Sequence, residues 1–288
     1  MTLEELFAQS AELPTLPKLL NRMLKMLGNE DIALHEIGAQ ISADPVLGAK
    51  TLRLANSAYF GVPRRISDID AALQMLGVAM VRNLVISCGV VAAFRDVKNL
   101  DLEQFWLYSC YTAAAARWLG NQLGHNAETG FTVGLTHGIG QLLMHRMLPG
   151  PMQELDAQVH PLSAQRPNTE KDRLGFDHAE AGAELARLWN FPEPIVEAIR
   201  AVPRPAAVTP PHGLAALVHV AAWRARVEVL AMDDAAAARS LPTDAARLLH
   251  VDLSWVPEDR TLAATAPSVL LSMPPLQQFG AGLEALIS

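Results

Sequence analysis

Leu16, Leu19, Leu20, Met23, Leu24 and Leu27 recur at the spacing of one helical face, bracketed by Pro17 and Gly28, so an amphipathic helix is predicted over residues 16–27. Asp44-Pro45 reads as an N-cap followed by proline at the first helical position, opening a helix through Val46, Leu47, Leu52 and Leu54 to about Ala58. Ser67 with Asp70 three residues on approximates a capping box for a helix that ends at Gly77. The apolar stretch from Val78 to Phe94 is interrupted by Arg82 and Asn83 and falls short of a bilayer span, so it reads as a buried core helix. A long helix is predicted from Asp101 through Phe105, Trp106, Tyr111 and Trp118 to about Gly124, where the small side chains Ala113 to Ala116 would let a neighbouring helix approach closely.

Asp177 with Glu180 marks the next start, for a helix from His178 through Ala181, Leu185, Leu188 and Trp189. Phe191-Pro192-Glu193-Pro194 breaks it before a short helix through Ile195, Ile199 and Arg200. A Pro/Ala stretch, Pro203 to Pro211, reads as a linker or long loop, and a further helix is expected from about Leu214 to Met232. No window alternates as a strand does and no fixed period repeats, so the predicted class is all-α, a two-lobed multi-helix fold with parts at 1–100 and 101–288.

Composition narrows the function classes. The 288 residues are half apolar and 18% charged, which suits a globular chain with a substantial core. The net charge of −7 falls entirely on residues 101–288, while 1–100 balance. An acidic protein lacks the clustered positive charge that non-specific nucleic-acid binding needs, so no nucleic-acid partner is expected. Cys88 and Cys110 sit in apolar helical patterns without framework spacing, and the N-terminus carries Glu4 and Glu5 where an export signal needs basic residues. A reduced, cytoplasmic protein with no membrane association is the expectation.

Four blocks in order, Leu13-Pro14-Thr15-Leu16-Pro17, Asp44-Pro45-Val46-Leu47, Leu54-Ala55-Asn56-Ser57-Ala58-Tyr59-Phe60-Gly61, and Ala71-Ala72 with Leu76-Gly77, closely resemble the HDOD domain family. The likeness continues through Phe105-Trp106 with Ser109 and Ala113, Gly134-Leu135 with His137 and Ile139-Gly140, and Asp177-His178-Ala179-Glu180 with Trp189 and Pro192, spanning roughly residues 13 to 200. The resemblance implies an all-α core shared with the HD-type metal phosphohydrolases. It also implies a bacterial signalling output domain with no established catalytic activity.

An HD-type hydrolase needs deprotonated His and Asp donors converging on a divalent ion with a position left for water. At the family's first histidine this chain has Tyr108, and the central His-Asp pair is His137-Gly138. Where many relatives carry His-His it reads Ala201-Val202, and at the last aspartate it reads Ala221-Ala222-Trp223. Only His137 and His178 remain, and both read more readily as structural: His178 follows a helix N-cap, and His137 sits in a Gly-flanked turn where an imidazole can satisfy buried backbone. His212 and His219, seven residues apart, are too distant to share one ion and read as surface or boundary residues. No metal, cofactor or catalytic residue is therefore expected.

The stretch from Asn56 to Arg65 admits two readings. One is a C-cap and turn, with Asn56 and Ser57 bonded to backbone. The other is a recognition edge of Tyr59, Phe60, Arg64 and Arg65 for a protein partner or an anion. The expected function is a non-catalytic output or scaffold domain that binds signalling proteins, such as members of two-component or cyclic-dinucleotide circuits, met in trans because this sequence holds no receiver or cyclase. The alternatives are a phosphohydrolase with a remodelled metal centre and a helical DNA-binding regulator using Lys18, Arg22 and Lys25.

Overall fold

The computed structural model describes residues 2–8, 13–27, 34–57, 60–251, 273–279 and 283. Every regular element among them is helical. Two compact units comprise the described residues of Pro14–Arg95 with Gln277–Ser288, and of Met1–Leu13 with Asp96–Leu276. The expected parts, 1–100 and 101–288, differ from this division. Helix α1 (Leu3–Ala8) groups with the larger unit, and its Leu6 is fully buried.

The smaller unit contains α2 (Lys18–Leu27), α3 (Leu34–Ser42), α4 (Pro45–Ala55) and α5 (Ile69–Ala93), with α2, α3 and α4 all packed on α5. Asp44 caps α4 by accepting from Val46 N and Leu47 N at 2.9 and 3.1 Å, and Pro45 fills the first turn where no N–H is needed. The helix ends at Ala55, short of the expected Ala58, because Asn56 takes the C-cap. Asp68, one residue after the expected Ser67, caps α5 through Ala71 N at 2.8 Å. Gly77 breaks α5 with φ 73°, a conformation a Cβ would penalise, so the predicted stop appears as a kink inside one helix. By length and composition α5 could cross a membrane, yet it buries Met80, Val81, Leu84, Val85, Ile86 and Val90 within the protein.

In the larger unit α6 (Leu102–Leu123) runs from the Asp101 cap to Gly124, which is left-handed at φ 70°. Its Ala113 to Ala116 run is fully buried. A Cβ on Gly134 of α7 (Ala127–Thr136) would stand 2.8 Å from Ala113 Cα, so two small-residue surfaces let α6 and α7 approach at backbone distance. Then come α8 (Ile139–Met147), α9 (Pro149–Asp156), α10 (Arg166–Leu174), α11 (His178–Leu188), α12 (Glu193–Ala201) and α13 (Gly213–Val229). The short α14 (Asp234–Arg239) and α15 (Thr243–Leu248) follow, and α16 is Leu276–Phe279. Asp177 and Glu180 form the full capping box of α11. Gly140 of α8 faces Gly182 of α11 so closely that a Cβ at 140 would lie 2.9 Å from Gly182 Cα and inside contact distance of the His178 carbonyl. That packing brings the start of α8 against the start of α11.

Candidate functional site

The start of α8 follows His137 by two residues and the start of α11 is His178, so both imidazoles reach one small cavity of about 50 Å³ in the larger unit. Its lining also includes Tyr108 of α6, Gly138, Ser163, and His219, Ala222 and Arg226 of α13. Three of the four positions read as lost ligands, Tyr108, Gly138 and Ala222, thus converge with the two residual histidines. Ala201 does not; it borders a separate cleft beside Pro210, and Val202 takes its place in the cavity wall.

Each histidine is fixed through its Nδ1. His137 Nδ1–H donates to the Gly134 carbonyl at 2.7 Å, the backbone satisfaction expected of a turn histidine, and its ring meets Tyr108 edge-on at 5.3 Å. His219 Nδ1–H donates to the Val202 carbonyl at 2.7 Å, joining α13 to the end of α12. A carbonyl only accepts, so both tautomers are set and Nε2 is each ring's remaining polar atom. Burial lowers both groups to about 4, helped for His219 by the Arg226 charge, so both are neutral at pH 7.

His178 is different. Glu170, fully buried on α10, accepts from both His178 N at 2.8 Å and His178 Nδ1 at 2.6 Å, and its other oxygen accepts from Arg166 Nε at 2.8 Å. Burial alone would depress His178, but the Glu170 carboxylate overcomes it and raises the imidazole above its ordinary value. Burial likewise opposes ionisation of Glu170, which His178 and Arg166 nevertheless hold below the usual carboxylate range. Tyr108 is pushed up by burial and stays a neutral phenol.

His219, read as a surface or boundary residue, is half-buried: on α13 it lies two turns before Arg226, and both line the cavity, which only packing against α12 reveals. His212 instead caps α13, its Nδ1 accepting from Ala215 N at 3.2 Å. The signal for the missed pair was the i, i+3, i+7 spacing of His219, Ala222 and Arg226, which share one face. Glu170 and Arg166 were missed because ionised side chains are expected outside.

The cavity does not fit a divalent metal. Among the described residues its lining contains no carboxylate, and the guanidinium of Arg226 opposes a cation. Among the described residues, no three His, Cys, Asp or Glu side chains stand close enough to share an ion.

In the smaller unit, Asn56, Arg65 and Arg53 line a wide cleft of about 970 Å³. Asn56 Nδ2 donates to the Leu52 and Ile66 carbonyls at 2.8 and 2.7 Å, and Ser57 Oγ donates to the Leu54 carbonyl at 2.7 Å, so both serve the fold. Arg64 and Arg65 are exposed and Phe60 is half-buried; Tyr59 lies outside the described residues.

The HDOD domain family model matches residues 13–205. A crystal structure of a provisionally named phosphohydrolase from Shewanella amazonensis SB2B superposes with a TM-score of 0.71 at 33% identity, covering 85% of this chain and 88% of that one. An HDOD domain protein of unknown function from Geobacter sulfurreducens gives 0.63 at 26% identity, covering 73% and 72%. An uncharacterized protein of Treponema pallidum is 31% identical over 195 residues, 66% of this chain, which spans only 37% of that protein's length. The ordered motifs, the all-α core and the match across two thirds of the sequence agree: the chain belongs to the HDOD domain family.

Proposed function

We propose that this HDOD protein is a non-catalytic signalling output domain that acts by binding other signalling proteins in the cytoplasm. The observation that carries the non-catalytic part is the donor set of the HD-like cavity. Two imidazoles are neutral with Nδ1 committed, the third donates its Nδ1–H to Glu170, and Gly138 and Ala222 stand where carboxylates would be needed. A divalent ion binds to a cluster of negative and neutral donors, and this cavity offers a guanidinium instead. Support for a binding role is the pair of exposed arginines, Arg64 and Arg65, at the rim of a fold-stabilised loop.

The test is titration of Mn²⁺ into the chelator-treated full chain, followed calorimetrically. The expected result is no saturable binding. Stoichiometric binding that His137→Ala and His178→Ala each abolish would favour the second reading, a phosphohydrolase with a remodelled centre. That reading draws on the name of the Shewanella amazonensis relative, which is 33% identical.

A further inference from the structure

We propose that the cavity between Tyr108, His137, His178 and Arg226 is a receptor for a small phosphoryl oxyanion, anchored by the Arg226 guanidinium. The proposal rests on reading the cavity as one without a resident metal.

Arg226 is 9% exposed, and its Nη1 donates to the Leu162 carbonyl at 3.2 Å, while its Nε is buried with no hydrogen-bond partner. A buried guanidinium N–H without an acceptor is costly, and the guanidinium that carries it belongs to a residue lining the cavity. Among the described residues no carboxylate lines the cavity, and Glu170 already accepts from Arg166 and His178. Among the described residues the guanidinium therefore meets no opposite charge in the cavity wall. Around it stand further hydrogen-bonding groups: the Ser163 hydroxyl, the Tyr108 phenol, which also pairs with Thr112, and the Nε2 of His178, on the side of its ring away from Glu170. Guanidinium and hydroxyl donors suit an oxyanion, the Nε2 lone pairs of neutral His137 and His219 suit the O–H of a hydrogen phosphate, and Arg pairs with phosphate through parallel N–H bonds.

Size selects the class. A water needs roughly 10–15 Å³ of such space, so a cavity of about 50 Å³ holds roughly four water-sized groups, the bulk of a phosphate and far less than a nucleotide. Free phosphate and the phosphoryl end of a larger ligand share this chemistry.

The experiment is calorimetric and thermal-shift titration of the full chain with inorganic phosphate, in chelator-containing buffer at pH 6.5, with matched chloride as control and adenosine monophosphate in parallel. Saturable binding of either phosphate species, with a raised melting temperature, is expected; preference for free phosphate assigns the free ion, and preference for the monoester assigns a phosphorylated ligand. Arg226→Gln should lose at least tenfold in affinity. Because that variant can fail to fold, Ala222→Asp is the second: its carboxylate, one turn before Arg226, would occupy the guanidinium from within and abolish binding while the fold persists. No saturable binding of either species with or without Mn²⁺ overturns the receptor alone. Binding that Ala222→Asp leaves intact also overturns it. Binding that requires Mn²⁺ overturns both the receptor and the metal-free reading beneath it.

Discussion

Asn56 and Ile66 clasp each other across ten residues: Asn56 Nδ2 donates to the Ile66 carbonyl and Ile66 N–H donates to Asn56 Oδ1, both at 2.7 Å. One side-chain amide thereby reproduces both halves of a backbone pairing and closes the loop that carries Arg64 and Arg65. Asn56→Ala should destabilise the protein by about 1–3 kcal/mol, since the part-buried N–H and carbonyl of Ile66 both lose their partner. Asn56→Asp should do no better, because an ionised carboxylate cannot donate to that carbonyl. Urea denaturation checks both, and a wild-type midpoint for Asn56→Ala would refute the clasp's role.

The close approach of α8 and α11 predicts a sharp asymmetry between two glycines. Gly140→Ala drives a Cβ into the His178 carbonyl and the Gly182 backbone, neither of which can swing aside, and should cost about 1–3 kcal/mol or more. Gly182→Ala meets Gly140 N at 3.0 Å and Cα at 3.4 Å, a tighter-than-usual contact that a small shift relieves, and should cost less. Thermal melts of the two variants decide; equal losses would contradict the packing described.

The buried Arg166–Glu170–His178 cluster should respond to loss of its carboxylate more than to any exposed ion pair. Glu170→Ala leaves Arg166, fully buried, without its Nε acceptor and leaves His178 Nδ1 unheld, a loss of about 3–5 kcal/mol. Arg247→Ala, which removes an exposed pair with Asp244, should leave stability within about 0.5 kcal/mol. Denaturant midpoints of the two variants measure the contrast.

Acidification should weaken the fold before the carboxylates titrate. His137 and His219 sit at about 4 in the folded protein against an ordinary 6.5, so the unfolded chain binds protons there that the folded one refuses. Their contribution is complete above pH 6.5 and is lost as pH falls toward 4. His178 works the other way: with its value raised, its contribution is present below 6.5 and is lost as pH rises through the raised value. Two groups oppose one, so denaturant stability should fall between pH 7 and 5, and His219→Gln should flatten that fall. An identical pH slope in His219→Gln would contradict the assignment.

The sequence made the helix ends most legible. Asp44, Asp101 and the Asp177–Glu180 box sit where a short polar side chain precedes an apolar period, and each caps as expected. Gly77 and Gly124 were visible because only glycine adopts their backbone freely. Helix α10 was invisible: Arg166-Pro167-Asn168-Thr169-Glu170 has no apolar face, and its place in the fold comes from a buried ion pair that periodicity cannot register. The cavity was half legible. Tyr108, Gly138 and Ala222 could be found by resemblance, whereas His219 and Arg226 face inward only because α13 packs on α6 and α12.

Arg64→Ala with Arg65→Ala should leave the melting temperature almost unchanged, since both side chains are exposed, yet weaken capture of the proposed signalling partner. Parallel melting and pull-down measurements test it, and undiminished capture would remove these arginines from the interface.

The proposed function requires that the cavity between Tyr108, His137, His178 and Arg226 carry out no hydrolysis. The most direct measurement is turnover of a phosphodiester, both bis(p-nitrophenyl) phosphate and a cyclic dinucleotide, by the purified chain across a titration of Mn²⁺ and Mg²⁺. The predicted result is no rate above the metal-only control at any concentration, unchanged by His137→Ala. Metal-stimulated turnover that His137→Ala abolishes would contradict the account.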